Sequence, residues 1–367
     1  MEITGLLLFL SGFILVSNAG VIWQSDNSNN IPLLREMAEN ANSSETKHMK
    51  HILGPDGHDD MLGAEFQEFK AKYNKEYTGK ENIRRFHIFK KNMQIIEALN
   101  KGEKGTARYG ATKFADLSPE EFRKNYLTPV WDLSVADGMD KAVVPQVNDV
   151  PDAFDWRKRN AVTPVKNQGS CGSCWAFSTT GNIEGQWAIK KGKLLSLSEQ
   201  ELVDCDKVDQ GCNGGLPANA YKAIEKLGGI ETEKEYPYEA RGERCQFKKG
   251  DVRAYVNNSL SISTDEEDMK VWLYKNGPIS IGINANAMQF YFGGISHPFS
   301  FLCNPSSLDH GVLIVGYGVK NGFLGQTPFW IIKNSWGKNW GVSGYYLVYR
   351  GKGVCGLNRM PTSAVID

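Results

Sequence analysis

A cysteine at the start of an apolar helical pattern is the residue of this chain best suited to covalent chemistry. Cys174 lies in the segment 168–178 (QGSCGSCWAFS), directly after two small residues and six positions after Gln168. A helix N-terminus lowers the pKa of a thiol, and the thiolate is the nucleophilic form. The pattern therefore predicts a nucleophile at Cys174 and a polar amide, from Gln168, that can reach the same point.

A thiolate nucleophile of this kind works with an imidazole, and only two histidines follow Cys174. His297 lies in a loop-like context (GISHP), which favours an exposed structural role. His310 directly precedes the apolar run 312–317, so we expect its ring at the mouth of a buried strand. Taken alone, His310 also fits a core histidine whose hydrogen bonds are satisfied. Beside the Cys174 segment, we interpret it as the catalytic base.

A catalytic imidazole needs a polar group that orients it. Asn334 ends the strand-like run 329–333, and its amide can accept a hydrogen bond from the His310 ring without adding a charge. An asparagine in an ordinary turn after a strand is the simpler alternative. Gln168 completes the predicted set, because its side-chain N–H and the Cys174 backbone N–H can stabilise the oxyanion that forms when a thiolate attacks an amide.

These residues need a scaffold, and the sequence predicts helices first and strands later in the part that carries them. The helical patterns cover 174–190, 198–205 and 217–227, and the strand-like runs cover 279–281, 311–317, 329–333 and 344–349. This order predicts an α+β protein whose two halves pack as separate layers with a cleft between them. Residues 129–150 lack periodicity, so we interpret them as an extended linker.

The beginning of the chain is typical of a secretory signal. An apolar run covers 5–16 and small residues surround Ala19, so we assign 1–19 as a signal peptide. The run is too short to span a bilayer, and we expect no stable membrane insertion. A buried hydrophobic helix is the alternative, since no basic residue precedes the run. The chain has 42 basic and 42 acidic residues, which argues against a nucleic-acid partner.

The chain has seven cysteines, all within its last two hundred residues. In a secreted chain an odd number implies one free thiol or a partner outside the chain, and the residues alone do not fix which cysteine is left over. A redox dithiol or half a zinc site at Cys171 and Cys174 is the alternative. No second pair with ligand spacing follows, so we expect no metal and no cofactor.

Residues 150–367 resemble the papain-family cysteine peptidases of the cathepsin L-like group, most closely the cathepsin F type. The resemblance rests on the Cys174 segment and on the order Gln, Cys, His, Asn. It implies a papain-like two-lobed fold, with a helical left lobe, a β-barrel-like right lobe and an active-site cleft between them. It assigns roles to five matching positions: nucleophile Cys174, general acid–base His310, orienting Asn334, oxyanion donor Gln168 and shielding Trp336.

The same resemblance implies three disulfides and a substrate pocket. The disulfides are Cys171–Cys212, Cys205–Cys245 and Cys303–Cys355. Glycines in the cleft wall let a peptide backbone come close, and the positions that match the wall and the S2 pocket are apolar or lack a side chain, so we expect hydrophobic P2 residues. These substrate-binding positions are Gly214, Gly215, Leu216, Pro217, Gly282, Gly311 and Met360.

A helical inhibitory propeptide is expected before this part. Six residues spaced by four, four, three, four and four share one helical face, and they resemble the ERFNIN motif of cathepsin L-type propeptides: Glu81, Arg85, Phe89, Asn92, Ile96 and Asn100. The run 110–116 resembles the second propeptide motif. We therefore assign 20–149 as a propeptide with an I29-type inhibitor region at about 65–125, and 150–367 as the mature catalytic domain.

The predicted function is a cysteine endopeptidase, secreted or lysosomal, made as an inactive zymogen. Its expected partners are peptide and protein substrates, its own propeptide and cystatin-type inhibitors, and we expect a monomer. No histidine-bearing occluding loop is present, so exopeptidase activity is not expected. Asn42 and Asn257 begin glycosylation triplets. The alternatives are a catalytically dead binding protein, or an acyltransferase, which would need Asp in place of Asn334.

Overall fold

The computed structural model describes residues 13–16, 21–24, 61–147, 149–300, 302–322 and 325–367. The chain divides into two compact units, Met1–Gly102 with Tyr109–Glu121, and Glu103–Arg108 with Phe122–Asp367. Most of the predicted signal peptide 1–19 and the triplet at Asn42 lie outside the described residues. Strand β1 (Phe13–Val16) falls within the predicted apolar run and pairs antiparallel with β2 (Val21–Gln24).

The first unit contains a helix over 61–73, α1, and the long helix α2 (Gly79–Lys101). The predicted motif face of α2 makes the internal contacts of this unit. Phe89 is buried, with its ring 5.3 Å from Phe66 and 5.2 Å from Phe69 between centroids. The amide of Asn92 donates to the carbonyls of Ala115 and Leu117, at 2.7 and 2.8 Å. This face of α2 therefore packs against helix α1 and binds the segment around residues 115–117.

Charged residues at the start of α2 complete this unit. Arg85 Nε lies 2.6 Å from Glu81 Oε1, and its Nη1 reaches Glu121 Oε2 at 2.8 Å. Asp116 is fully buried and accepts hydrogen bonds from Lys75 Nζ and from the Tyr77 hydroxyl. A buried carboxylate needs such donors, because an unpaired charge in the interior is costly.

The second unit begins with residues from the predicted propeptide and continues with the cysteine-bearing part. Helix α3 (Pro119–Tyr126) leads into it. Its remaining helices are α4 (Cys174–Lys191), α5 (Glu199–Cys205), α6 (Pro217–Leu227) and α7 (Glu266–Asn276). Helix α4 is buried on nearly all sides along its first four turns and ends at Gly192, whose φ of 69° is a glycine-type stop. The predicted helices are present, and α7 is an addition.

The strands of this unit form one mixed sheet in the order β4-β6-β13-β7-β10-β11-β12-β9, with β5 paired to β10. Central strand β10 is antiparallel to β7 and β11. Short β3 (Arg108–Tyr109) and β8 (Tyr291–Gly293) lie outside this sheet. The bounds of the sheet strands are β4 Asp140–Lys141, β5 Phe154–Asp155, β6 Asn258–Ser261, β7 Ile279–Ile283, β9 Ile295–Ser296, β10 His310–Gly322, β11 Gly325–Lys333, β12 Tyr345–Tyr349 and β13 Thr362–Val365.

The sheet is open, which corrects the expected barrel-like lobe. A barrel closes only when its first and last strands pair. In the described part of the chain, the end strands β4 and β9 pair with β6 and β12 and not with each other. The α+β prediction itself holds, since helices α4 to α6 precede most of the sheet and α4 packs against β10.

Three disulfide bonds cross-link this unit, and they join the cysteines that the family resemblance paired. Cys174 is the free cysteine, and it is buried. The bonds are Cys171–Cys212, Cys205–Cys245 and Cys303–Cys355. Each bridge closes a loop of 40 to 52 residues, a size for which a disulfide typically stabilises by a few kcal/mol, about 2–4.

The part of 129–150 that was interpreted as an extended linker is more structured than predicted. Trp131 and Met139 are buried in the apolar core of the second unit. A 3-10 helix covers Leu133–Gly138, and β4 pairs parallel with β6. In the described part of 129–150 only Trp131 and Met139 are buried, so no regular apolar spacing is required.

Candidate active site

Cys174 is the first residue of α4, as the sequence predicts. Its Sγ accepts a hydrogen bond from the backbone N–H of Gly311, at 3.2 Å. The preceding Ser173 does not cap the helix with its side chain, and its hydroxyl pairs with the Tyr238 hydroxyl at 2.6 Å. The sulfur therefore meets the positive end of a helix dipole and a fixed N–H donor, both of which favour a negative charge.

His310 begins β10, and Asn334 directly follows β11, its antiparallel neighbour. The Nε2 of His310 lies 2.8 Å from Oδ1 of Asn334. The backbone N–H of Ser335 donates to the same Oδ1 at 2.8 Å, so this atom is an acceptor and His310 Nε2 carries the hydrogen. Nδ1 is then the unprotonated nitrogen, and within the described residues it is buried with no hydrogen-bond partner. That nitrogen is available to take a proton.

An aromatic cover lies over this pair. The Trp336 ring stacks on the His310 ring, with centroids 4.6 Å apart and planes inclined by 29°. Trp336 is itself buried and meets Phe122 edge-on at 5.3 Å. Exclusion of water strengthens the hydrogen bond between His310 and Asn334, because electrostatic interactions are stronger in a medium of low dielectric constant.

Burial acts on the charge states of the two reactive groups in the same way. It raises the pKa of the Cys174 thiol to about 12 and lowers the pKa of the His310 imidazole to about 4. Desolvation always favours the neutral form. In this covered state a neutral thiol and a neutral imidazole are therefore favoured. The thiolate–imidazolium pair stays a prediction for a chain whose cleft is open.

Gln168 is held rigidly beside the nucleophile. Its backbone N–H donates to Ser335 O at 2.8 Å, and its Oε1 accepts from the Ser335 hydroxyl at 2.6 Å. Its Nε2 donates to the carbonyls of Cys171 and Tyr126, at 2.8 and 3.0 Å. The amide donor that the sequence assigned to an oxyanion thus already binds a carbonyl oxygen from residue 126.

That carbonyl belongs to what we call the cleft segment, residues 126–131. Its main chain pairs with the strand entry before His310: Thr128 N–H donates to Asp309 O at 2.9 Å, and Trp131 N–H to Leu308 O at 2.8 Å. Three of its side chains are at least 95% buried: Leu127, Thr128 and Trp131. The segment thus passes directly over the site.

The predicted substrate-binding positions surround the cleft segment at several points. A Cβ added to Gly282 would lie 2.6 Å from the Trp131 ring, and one added to Gly214 would lie 2.8 Å from Pro129. The Trp131 indole belongs to one apolar cluster with Leu216 and Met360. The absent side chains at these two glycines therefore leave the space that the segment fills.

Other predicted positions act behind the cleft wall. Gly215 is needed for the packing of Trp175, since an added Cβ would lie 2.5 Å from that ring. Pro217 is buried at the first position of α6, where a proline needs no N–H partner. Gly215 also lines a pocket together with Thr128 and Trp131 of the cleft segment.

Comparison with known proteins adds the family. Residues 150–365 match the model described as papain family cysteine protease, and residues 66–122 match the cathepsin propeptide inhibitor domain (I29). The chain belongs to the papain family. The sequence-based recognition is thereby confirmed.

The papain-family relatives agree with this. The chain is 50% identical to cathepsin F of Mus musculus over 304 residues, which cover 82% of this chain and 64% of that protein. It is 50% identical to cathepsin F of Drosophila melanogaster over 326 residues, 87% of this chain and 52% of that one. The chain thus spans between half and two thirds of the length of these curated relatives.

A solved structure confirms the papain-like fold with its propeptide. Digestive procathepsin L 3 from the larval midgut of Tenebrio molitor superposes with a TM-score of 0.73 and is 36% identical, over 83% of this chain and 99% of that one. Within the described residues, no group of three or more His, Cys, Asp or Glu side chains is arranged to hold a metal ion. No helix in that part of the chain is long and apolar enough to cross a membrane.

Three features of this papain-family site were not found from the sequence. Gly311 was assigned to the substrate pocket, but its N–H contacts Cys174 Sγ and an added Cβ would lie 3.0 Å from the Cys174 carbonyl. Ser335 and Tyr238 fix the side chain and backbone of Gln168. Ser335 is adjacent to Asn334 in the sequence, which is a weak signal. Tyr238 lies about 70 residues away and gives no signal.

Proposed function

We propose that this protein is a cysteine endopeptidase made as a zymogen. The observation that carries the proposal is the single free thiol at the start of α4, with an N–H donor on its sulfur and an oriented imidazole at the start of β10. Cys174 is the nucleophile, His310 the general acid–base and Asn334 the orienting residue. Gln168 supplies the oxyanion donor.

The reaction follows from these positions. His310 Nδ1 takes the proton of Cys174, and the sulfur forms a bond to the carbonyl carbon of the peptide. The carbon–nitrogen bond then breaks, and the imidazolium returns the proton to the leaving amine, which leaves a thioester acyl-enzyme. Water, deprotonated by the same imidazole, hydrolyses the thioester and releases the thiol.

The oxyanion of each tetrahedral intermediate is stabilised by Gln168 Nε2 and the Cys174 backbone N–H. The carbonyl of Tyr126 lies 3.0 Å from that Nε2, which supports the assignment because the donor is already aimed at a carbonyl oxygen. Preorganised donors of this type typically account for about a hundred- to a thousandfold in rate.

Substrates with a hydrophobic P2 residue are expected. The Trp131 indole fills the apolar space beside Gly282 and Met360, so a large hydrophobic side chain fits there. The assigned pocket positions include no acidic residue, so they offer no countercharge to P2 arginine. Peptides with leucine at P2 should therefore be cleaved much faster than peptides with arginine at P2.

Residues 20–149 are proposed as the propeptide and 150–367 as the mature domain. The cleft segment supports autoinhibition in two ways, since it occupies the Gln168 donor and fills the apolar pocket. We further propose entry into the secretory pathway through the segment 1–19, with a lysosomal or extracellular destination. Monomeric behaviour and inhibition by cystatin-type proteins remain part of the same proposal.

The test is expression of the precursor, acidification, and active-site titration of the product with a thiol-directed epoxide. A processed protein that binds one equivalent of epoxide and cleaves P2-leucine peptides supports the proposal. The Cys174→Ala precursor is the matched control, and it should be neither labelled nor active. A folded, processed parent protein without peptidase activity would refute the proposal.

A further inference from the structure

A surface cleft of about 430 Å³ lies at the end of α4, on residues that the proposed catalytic machinery does not use. The rings of Trp187 and Tyr255 meet edge-to-face in it, with centroids 5.0 Å apart. The ammonium of Lys191 lies 5.8 Å from the first ring and 5.4 Å from the second. The cleft is lined by Trp187, Lys191, Lys193, Leu195, Arg253 and Tyr255.

This combination of groups suits a sugar. Pyranose rings present a face of C–H groups that packs on aromatic rings, while their hydroxyl and acetamido oxygens accept hydrogen bonds from ammonium and guanidinium groups. The size of the cleft falls within the range of about 300–1,000 Å³ that is usual for small-ligand sites. Groups of this kind line the cleft at Lys191, Lys193 and Arg253.

A glycosylation triplet lies close in the sequence to Tyr255, one of the residues that line the cleft. Asn257-Asn258-Ser259 begins two residues after Tyr255. Burial alternates along this stretch: Tyr255 is exposed, Val256 is buried in the core, and Asn257 is exposed. Tyr255 and Asn257 are therefore both open to solvent, two residues apart on one short segment.

Hydrogen bonds connect the triplet to the cleft through the last residue. Asn257 Oδ1 accepts from the backbone N–H of Asp367 at 3.0 Å, and Lys191 Nζ donates to the carbonyl oxygen of the same Asp367. Lys191 lies over both aromatic rings, so the hydrogen-bonded path from Asn257 through Asp367 ends in the cleft. Its Nδ2, the atom that carries a glycan, makes no hydrogen bond within the described part of the chain.

We propose that an N-linked glycan on Asn257 packs its first sugar against Tyr255 and extends into the cleft beside Trp187. This inference rests on the secretory route of the proposed function. The acceptor reaction joins Asn257 Nδ2 to C1 of an oligosaccharide carried on a lipid diphosphate. The C1–oxygen bond breaks, the lipid diphosphate leaves, and the amide loses one proton. The glycan then stabilises the mature domain as a packed element of its surface.

The test compares the mature enzyme from a glycosylating eukaryotic host before and after treatment with peptide-N-glycosidase under native conditions. Release converts Asn257 to aspartate, which keeps an oxygen acceptor for the Asp367 N–H. We expect Tm to fall by about 2–4 °C, the shift that loss of one well-packed contact produces in a chain of this length. In Tyr255→Ala the glycan should be released faster, and its release should leave Tm unchanged. Tyr255→Phe keeps the ring and should behave as the parent.

Two results would overturn the inference. One is an active mature enzyme whose intact mass shows no glycan at Asn257. The other is an equal fall in Tm on glycan release in the parent and in Tyr255→Ala. Active-site titration of every sample separates this test from the proposed function, because an active enzyme without a docked glycan contradicts only the inference. An inactive enzyme with a docked glycan contradicts only the peptidase proposal.

Discussion

Replacement of Trp131 by alanine should open the zymogen. The indole is 5% exposed, packs on Gly282, and donates from Nε1 to the Thr128 hydroxyl at 2.9 Å. Trp131 is the largest apolar side chain of the cleft segment. Trp131→Ala removes that contact and leaves the main-chain hydrogen bond to Leu308 O in place. The substitution therefore weakens the segment without changing its course.

The expected magnitude follows from burial. Replacing a packed tryptophan by alanine costs about 3–5 kcal/mol. The lower figure applies here because the cleft stays bordered by solvent on one side once the ring is gone. A loss of about 3 kcal/mol raises the fraction of open zymogen roughly a hundredfold, since each 1.4 kcal/mol is a factor of ten.

The assay is the rate at which a thiol-directed epoxide labels Cys174 in unprocessed zymogen at neutral pH, followed by intact mass. Labelling requires an open cleft, so its rate reports the open fraction. Val130→Ala is the matched control, because Val130 is the neighbouring residue and is 54% exposed. It should label at the parent's rate. Equal rates for Trp131→Ala and the parent zymogen would refute the reasoning.

Three further outcomes are expected. Gln168→Ala in the processed enzyme should lower kcat by about a hundred- to a thousandfold with little change in KM, as steady-state kinetics on a P2-leucine peptide will show. Burial raises the pKa of the Glu201 carboxyl from its ordinary value of 4.5 to about 8. The protonated carboxyl therefore contributes fully to the free energy of unfolding below pH 4.5, and this contribution is lost as the pH rises through 8. Between these pH values the free energy of unfolding of the parent should fall by roughly 1.4 kcal/mol per pH unit on account of Glu201. Denaturant unfolding of Glu201→Gln at a series of pH values should show that this contribution is gone. Asp116→Asn should let autoprocessing begin at a higher pH, because a neutral amide cannot replace the carboxylate that lies 2.9 Å from Lys75 Nζ. Gel electrophoresis of samples incubated at a series of pH values measures the onset of processing.

Each of these has a result that contradicts it. A Gln168→Ala enzyme whose kcat matches the parent would remove the amide from the oxyanion site. Parallel stability curves for the parent and Glu201→Gln would show that this carboxyl ionises normally in the folded state. Unchanged pH dependence of processing in Asp116→Asn would show that the ion pair with Lys75 does not hold the propeptide in place. Glu97, exposed and paired to Lys101 on the surface of α2, offers a control substitution to Gln.

The positions of the proposed reactive residues in the fold could be predicted because each lies at the end of an element with a clear apolar pattern. Cys174 is the first residue of a helix whose pattern is visible in the sequence, and His310 and Asn334 border strands with clear apolar runs. Adjacent antiparallel strands bring the latter two together, and this step needs only the sheet order. The identity of Gln168 as a donor follows from its short distance to Cys174 along the chain.

The covering of the site could not be predicted in this way. Trp131 and Tyr126 act through single contacts with residues far along the chain, and an irregular segment has no periodicity to show them. The open sheet was missed for a similar reason, because closure depends on the partners of the two end strands. The role of Gly311 could not be predicted either, because the sequence does not show whether the absent side chain or the backbone N–H of a glycine is important.

Removal of the cleft segment is expected to convert the neutral thiol and imidazole into an ion pair. The most direct measurement is the alkylation rate of Cys174 as a function of pH, in the zymogen and in the processed enzyme, with Cys174→Ala as the blank. We expect the processed enzyme to react rapidly from mildly acidic pH upward, while the zymogen stays unreactive over the same range. A processed enzyme whose Cys174 reacts only in alkaline solution, as an ordinary thiol does, would contradict the account.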